Sequence, residues 1–187
     1  MFLAMGIILV ILAIVFWIIG MYNGFVKIRN RIEEAFATMD VYLKKRYDLI
    51  PNLVETVKGY AAHEKETLTK VVEARNVALT SSDGPIDERV KSEGQLTQAL
   101  RGLLAIAENY PNLKADTQFL DLQKQLQRVE EDIAQARKYY NSVVKVFNTK
   151  CEVFPSNLIA GIFNFVKREY FQVDDERERD NVKVDFS

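Results

Sequence analysis

The stretch RYDLIPNLVETVKGYAAHE, residues 46–64, decides how the helices of this chain are arranged. An amphipathic helical pattern precedes it, and a second one follows it. Pro51 lacks a backbone N–H group, and its ring disfavours helical geometry at Ile50. Proline suits the first turn of a new helix, and Asp48 can serve as its N-cap. The stretch therefore predicts that one helix ends and the next begins at Asp48–Pro51, with a kinked continuous helix as the alternative.

The chain upstream of this stretch begins with an apolar run. Residues 1–26 carry no charged side chain, and Phe2–Ile19 is almost continuously apolar. Such a run matches the roughly 20 residues needed to cross the hydrocarbon core of a bilayer. A cleaved signal peptide fits less well, because there is no basic n-region and no small-residue cleavage site. We therefore predict an uncleaved single-pass anchor over residues 1–24, with the lipid bilayer as partner. Its membrane-spanning residues include Phe2, Ile7, Leu12, Trp17 and Ile19.

Basic residues directly after the anchor predict its orientation. Lys27, Arg29 and Arg31 follow the run, and no lysine or arginine precedes it. Because Lys and Arg near the end of a span are retained on the cytoplasmic side, the pattern predicts a cytoplasmic domain. A periplasmic or extracellular domain is the alternative, since Glu33 and Glu34 follow closely and the excess is small.

Apolar residues recur with helical spacing in four further segments, separated by short breaks. Glycine and proline are scarce, eight and four in 187 residues, which favours long helices. The fourth stripe runs close to steps of seven, which is typical of a coiled-coil seam, and Asp116 or Thr117 is its expected cap. We predict an all-α fold in which residues 25–154 form an up-down-up-down antiparallel four-helix bundle. The four stripes are Phe25–Ile50, Leu53–Leu79, Val90–Tyr110 and Phe119–Phe147.

Residues 155–187 differ in character from the helices before them. After Pro155, residues 158–166 are apolar nearly all round, yet too few to span a bilayer. Three interpretations are open: a short element folding back onto the base of the bundle, which we favour, an interfacial helix with its cations on lipid phosphates, or a contact between protomers. The candidate interfacial residues are Leu158, Ile159, Ile162, Phe163, Phe165, Lys167 and Arg168. Beyond them, residues 174–180 are charged, and Val182, Val184 and Phe186 alternate as in a short strand.

The residue types that usually carry chemistry are nearly absent. His63 precedes Glu64 as in the zinc helix motif, but the second histidine of that motif is replaced by Thr67, and His63 is the single histidine. The single cysteine, Cys151, is expected to be a semi-buried structural thiol, with palmitoylation as the alternative. A net charge of −1 without a basic aromatic stripe argues against nucleic acid as a partner. We predict no enzyme activity, no metal, no cofactor and no small-molecule substrate.

A charged cluster flanks the predicted turn. It consists of Lys44, Lys45, Arg46 and Asp48. A solvated helix end with weak local ion pairs is the ordinary interpretation. The functional interpretation is a recognition surface on the side of the domain away from the membrane.

Several long motifs of this chain are specific in their order of residues. They are Arg29–Ala35, Asp40–Tyr60, Glu73–Arg75, Phe119–Gln123, Ala136–Asn141, Phe154–Gly161, Arg168–Phe171 and Val184–Phe186. Together these motifs resemble the bacterial LemA family, and the resemblance covers nearly the whole chain, the anchor included. It implies a small bacterial inner-membrane protein with an N-terminal anchor and an all-helical domain, and it carries over no catalytic residues.

Taken as a whole, the sequence favours a membrane-anchored helical interaction or scaffold protein that self-associates and has no catalytic activity. The seam-like fourth stripe and the lack of active-site motifs support this hypothesis. Two alternatives are a lipid-interacting or membrane-shaping protein that acts through residues 158–171, and an accessory factor of a membrane protease or secretion system. The expected partners are accordingly the bilayer, a second copy of the chain and other membrane proteins.

Overall fold

A computed structural model describes residues 2–172, and every regular element within that range is helical. The all-α class is therefore confirmed. The charged residues 174–180 and the alternating Val182, Val184 and Phe186 lie outside the described residues. The α-helices are α1 (Phe2–Tyr60), α2 (Lys65–Thr80), α3 (Ile86–Ala107), α4 (Pro111–Lys114), α5 (Thr117–Glu152) and α6 (Ser156–Ile162), with a 3-10 turn at Ser81–Asp83.

Helix α1 does not end at Pro51, so the predicted reversal at Asp48–Pro51 is wrong, and Asp48 is not an N-cap. The helix continues to Tyr60, and the chain leaves it at residues 61–64. Pro51 lies on the exposed side of the helix. The buried stripe crosses it without a change of phase, because Ile50 and Leu53 are both buried. Burial along this continuous stripe outweighs the local cost of a proline, about 3 kcal/mol.

The chain divides into two compact units. The first, here called the anchor-bearing unit, comprises Met1–Leu49 and Gln123–Tyr170. The second unit comprises Ile50–Leu122 together with Phe171 and Gln172 at the end of the described range. The arrangement of the helices as an up-down-up-down four-helix bundle stays a prediction.

In the anchor-bearing unit, α1 and α5 pair antiparallel. As the residue number rises along α1, the number of its partner on α5 falls. The side chains that show this register are Phe25 with Phe147, Phe36 with Tyr140, and Arg46 with Glu130. This pairing brings the membrane-proximal part of α1 next to the carboxyl end of α5.

The seam-like stripe of α5 is buried inside this chain. Its apolar positions recur every three or four residues, as expected for one face of a helix that covers a core. The buried members within the anchor-bearing unit are Leu126, Val129, Ile133, Ala136, Tyr140, Val144 and Phe147. The seam is thus occupied within the protomer, and its spacing alone no longer argues for self-association.

The second unit is built around α2 and α3, which pack against each other. Their buried side chains include Leu68 and Val71 on α2 and Leu96 and Leu103 on α3. The predicted cap of α5 is confirmed, because the backbone N–H of Phe119 donates to Asp116 Oδ1 at 2.8 Å.

Candidate membrane-interface site

The apolar run at the start of α1 fixes the height of the neighbouring residues. It is the one helix in residues 2–172 that is long and apolar enough to cross a membrane, which is compatible with a single-pass membrane protein. Residues 2–19 rise about 27 Å, close to the roughly 30 Å of a hydrocarbon core. Tyr22 and Gly24 follow by about one turn and would therefore lie at headgroup height. The predicted spanning side chains, Phe2, Ile7, Leu12, Trp17 and Ile19, are all exposed.

Two local motifs place α6 beside this part of α1. At its start, Ser156 Oγ donates to the carbonyl oxygen of Lys150 at 2.7 Å and so ties α6 to the end of α5. At its end, Asn164 has φ 54°, and the backbone N–H of Phe165 donates to Ala160 O at 2.9 Å. The N–H of Asn164 donates to Gly161 O, which completes a Schellman motif. The motif turns the chain so that Phe165 returns toward α1.

Five rings, here called the aromatic cluster, join the returning chain to α1 and α5. They are Tyr22, Phe25, Phe147, Phe163 and Phe165. The ring of Phe165 stacks on Phe25 with centroids 4.6 Å apart, and Phe147 meets Phe25 edge-on at 5.8 Å. Tyr22 packs against Phe163 at 4.8 Å and against Phe165 at 5.7 Å. Residues 156–165 therefore fold back onto the base of the helix pair, as the favoured interpretation expected.

Hydrogen bonds hold the chain beyond Phe165 along α5. The buried side chain of Asn148 donates from Nδ2 to the carbonyl of Arg168 at 2.8 Å and accepts from the N–H of Arg168 at 2.8 Å. Tyr140 donates its hydroxyl to Glu169 O at 3.0 Å. Because these contacts satisfy backbone groups of an otherwise irregular segment, residues 165–169 form a fixed strap rather than a loose loop.

Several apolar side chains of residues 153–166 are exposed. Together we call them the outer apolar face: Val153, Phe154, Leu158, Ile162, Phe163 and Val166. Phe163 belongs both to this face and to the aromatic cluster, because it is 44% exposed while its ring packs against Tyr22. Phe154 is 78% exposed and Ile162 is 72% exposed, whereas Ile159 is only 2% exposed. Of the predicted interfacial residues, Leu158, Ile162 and Phe163 thus belong to this face. Ile159 and Phe165 do not, because they face inward, and for them the prediction is wrong.

The cations near the segment differ in their surroundings. Lys167 pairs with the carboxylate of Glu152, and this hydrogen bond raises the pKa of Lys167. Arg168 is exposed and is held through its backbone. The ammonium of Lys150 instead lies over the ring of Phe25, 4.7 Å from its centroid. Burial lowers the pKa of Lys150.

Comparison with known proteins identifies the family of this chain. The profile of the LemA family matches residues 35–186. The chain belongs to the LemA family.

Individual relatives extend the match over most of the chain. Protein LemA of Metamycoplasma hominis is 27% identical over 90% of this chain and 75% of its own length. Two proteins of Paramagnetospirillum magneticum named magnetosome protein MamQ 1 and MamQ 2 are each 23% identical over 88% of this chain and 70% of their own length. Magnetosome protein MamQ of Magnetospirillum gryphiswaldense is 23% identical over 80% of this chain and 64% of its own length.

The charged cluster of this LemA-family chain divides into two kinds of residue. Lys44, Lys45 and Asp48 are exposed on α1. Arg46 is only 2% exposed, and its Nη1 donates to both carboxylate oxygens of Glu130 at 3.0 and 3.2 Å. The expectation that Arg46 is part of an exposed surface is therefore wrong. Its spacing from Leu43 and Ile50 places it on the buried stripe, and that signal is present in the sequence.

The single histidine and the single cysteine of this LemA-family chain have ordinary surroundings. His63 is exposed in the link between α1 and α2, and the described residues contain no cluster of three metal-ligating side chains. Cys151 is half-buried, as expected, with Sγ 3.6 Å from the carbonyl oxygen of Phe165. Burial raises the pKa of Cys151, which keeps the thiol protonated and slow to react.

Two tyrosine–carboxylate contacts lie in the second unit. Tyr60 donates its hydroxyl to Asp116 Oδ2 at 2.9 Å, and Tyr110 donates to Glu64 Oε1 at 3.1 Å. The pKa of Asp116 is lowered, first by the backbone N–H of Phe119 and then by the hydroxyl of Tyr60. The pKa of Tyr60 is raised by the same hydrogen bond. These contacts tie helix ends together and stabilise charged carboxylates at the surface.

Proposed function

We propose that this protein is a non-catalytic, membrane-anchored helical scaffold that rests on the bilayer through its outer apolar face. The observation that supports this most directly is the contact of Tyr22 with Phe163 and Phe165. This contact supports a position of the outer apolar face beside the residues at which α1 would leave the hydrocarbon core.

An apolar surface at that height would lie in the interface between lipid headgroups and acyl chains. Helices that lie in the plane of the interface bury their apolar side in the boundary between headgroups and acyl chains. Each large apolar side chain that leaves water completely contributes about 1.5–3 kcal/mol. The exposed side chains of Phe154, Leu158 and Ile162 would be buried at this boundary. Trp and Tyr rings are favoured at the same depth of a bilayer.

A bilayer contact at the outer apolar face, in addition to the anchor, would limit the tilt of the helix pair. A single helix through a bilayer is free to tilt, and packing against its neighbours limits that tilt. Here the strap and α6 are fixed to both α1 and α5 by the aromatic cluster and by Asn148. A bilayer contact at the outer apolar face would therefore set the angle of the whole helix pair against the membrane.

Location and orientation follow from the anchor. We place the protein in the bacterial inner membrane as a single-pass protein, in keeping with its family, and its domain in the cytoplasm. Lys27, Arg29 and Arg31 support this side of the membrane.

The bilayer contact can be measured with tryptophan fluorescence on the full chain. Trp17 is the single tryptophan, so Trp17→Phe gives a silent background into which Ile162→Trp is introduced. In proteoliposomes with brominated lipids, the emission of the tryptophan introduced at position 162 should be quenched. The matched control is Val41→Trp, since Val41 is 55% exposed on α1 but about 28 Å beyond Tyr22 along the helix. Equal, weak quenching at both positions would contradict the proposal.

Self-association is a second proposal, and a different surface supports it. Tyr139 and Val146 are 53% and 54% exposed and lie seven residues apart on one face of α5. Two positions spaced in this way can pack against the same face of a second copy of the chain.

Cysteine cross-linking in native membranes tests the second proposal. Cys151→Ala removes the single cysteine, and Val146→Cys then provides one reactive site. A cross-linked dimer is expected at position 146. Val41→Cys, similarly exposed on α1, is the control. Monomer at both positions would contradict self-association through this face and would leave the bilayer contact unaffected.

A further inference from the structure

Lys150 differs from the nearby Lys167 in the surroundings of its ammonium group. Its ammonium lies over the face of Phe25 and fits into the space left by Gly24, where a side chain would collide with Nζ. Within residues 2–172, no carboxylate forms an ion pair with it, whereas Lys167 on the same surface pairs with Glu152. The ammonium thus lies beside Gly24 and over Phe25, and its charge has no counterion from the described part of the chain.

The height of this ammonium matches that of a lipid headgroup. Gly24 lies five residues beyond Ile19, the end of the apolar run, which corresponds to about 8 Å along the helix. The headgroup layer begins at the edge of the hydrocarbon core and is about 5–8 Å thick on each side. The Nζ of Lys150 is in contact with the position of Gly24, so it lies at the level of lipid phosphates.

We propose that Lys150, held by Gly24 and Phe25, binds the phosphate of an anionic phospholipid such as phosphatidylglycerol. This inference rests on the proposed bilayer contact and names one component of it. A lysine ammonium binds phosphate as a compact point charge with three donors. The outer apolar face offers the acyl chains of the same lipid a surface next to the headgroup.

Burial and the aromatic face explain why the site favours an anion over water. Lys150 is half-buried with its ammonium against the ring of Phe25, and this burial lowers its pKa. A phosphate oxygen restores both a hydrogen bond and a countercharge in a position where water access is reduced. Hydrogen bonds to charged groups are stronger than neutral ones, so the loss of this one should weaken binding roughly tenfold, which corresponds to about 1.4 kcal/mol.

Two substitutions and two matched controls isolate this site in the full chain. Lys150→Gln removes the charge, and Lys138→Gln removes an equivalent charge from an exposed position on the same helix. Gly24→Ala keeps all charges but displaces the ammonium. Gly20→Ala is its control, because a methyl group at position 20 meets no atom within 4 Å.

The measurement is native mass spectrometry of the full-length protein released from nanodiscs of mixed phosphatidylglycerol and phosphatidylcholine. The wild type and both controls should retain phosphatidylglycerol preferentially. Lys150→Gln should reduce that retention roughly tenfold, and Gly24→Ala should reduce it by a smaller factor. Unchanged retention in Lys150→Gln would overturn the inference.

Two further measurements distinguish a lipid site from a free-phosphate site and test the bilayer contact separately. If added inorganic phosphate displaced phosphatidylglycerol from the wild type, the site would be a free-phosphate site and the lipid assignment would be wrong. The quenching of a tryptophan introduced at position 162 tests the bilayer contact independently. Strong quenching there with unchanged lipid retention in Lys150→Gln would overturn only the lipid site, whereas weak quenching would overturn the bilayer contact itself.

Discussion

The two ends of the α1–α5 pair each hold a cation against the same helices, but in opposite ways. At one end, Arg46 is buried and donates to the carboxylate of Glu130. At the other end, Lys150 lies on the ring of Phe25 beside Gly24 and has no carboxylate in the described part of the chain. A cation that is paired inside the protein contributes to the fold. A cation that is positioned without a counterion is available to a ligand, and under the proposed bilayer contact that ligand would be a lipid headgroup.

The largest effect on stability is expected at the paired end. Arg46→Ala should lower the free energy of unfolding by about 3 kcal/mol, because it removes a buried side chain and leaves the carboxylate of Glu130 without its partner. Glu130 is 34% exposed, so the loss should fall at the lower end of the range for broken buried pairs. Urea unfolding of the full chain in mild detergent, followed by helical circular dichroism, measures it.

The neighbouring lysine provides the control for this variant. Lys45→Ala removes one charge from an exposed position next to Arg46 and should change the free energy of unfolding by less than about 0.5 kcal/mol. Equal effects of Arg46→Ala and Lys45→Ala would show that the Arg46–Glu130 pair is not part of the folded core.

At the base, Phe165→Ala should release the strap. The lost stacking on Phe25 and the lost burial should favour local opening by about 2 kcal/mol. Because Cys151 Sγ lies against the carbonyl of Phe165, its alkylation reports this opening and should accelerate roughly thirtyfold. Val166→Ala, at the exposed neighbouring position, should leave the alkylation rate unchanged. A rate that did not rise in Phe165→Ala would show that the aromatic cluster does not hold the strap.

A smaller effect is expected at Asn164. Asn164→Ala should destabilise the strap by about 1 kcal/mol, because alanine tolerates the left-handed conformation poorly. Asn164→Gly should be neutral or slightly stabilising. The alkylation rate of Cys151 compares the two variants, and the opposite order would argue against the Schellman motif at the end of α6.

The smallest effect concerns pH and lies in the second unit. The pKa of Asp116 is lower in the folded protein than in the unfolded chain, so the folded state favours the ionised carboxylate. The stabilisation is therefore complete above the unfolded pKa and is lost as pH falls through the folded pKa. The stability advantage of the wild type over Asp116→Asn should shrink over that acidic interval in urea titrations. An advantage independent of pH would exclude this role for Asp116.

Sequence patterns predicted most of what depends on one helix at a time. The apolar run, the buried stripes Phe25–Ile50 and Phe119–Phe147 and the cap at Asp116 are local features, and the structure has them where the spacing placed them. The second stripe, Leu53–Leu79, is interrupted by the link between α1 and α2, and Val72 and Leu79 are exposed. The reversal predicted at Pro51 was wrong because the free-energy cost of a proline in a helix is local, whereas the buried stripe on both sides of Pro51 continues in phase. Arg46 could have been placed correctly, since it lies three residues after Leu43 on that stripe.

The candidate membrane-interface site could not be predicted from sequence patterns in the same way. The proximity of Lys150 to Gly24 depends on the register of α1 against α5, which joins residues more than a hundred positions apart. The outer apolar face depends on the packing of α6, which divides a segment that is apolar nearly all round into a buried side with Ile159 and an exposed side with Leu158 and Ile162. Periodicity alone does not distinguish those two sides.

The proposed scaffold role requires that the outer apolar face lie in the membrane interface beside the anchor. The most direct test compares Ile162→Trp with Val41→Trp, each in full-length protein that also carries Trp17→Phe, for quenching of tryptophan emission by brominated lipids. The bilayer contact predicts strong quenching at position 162 and little at position 41. Equally weak quenching at both positions would contradict it.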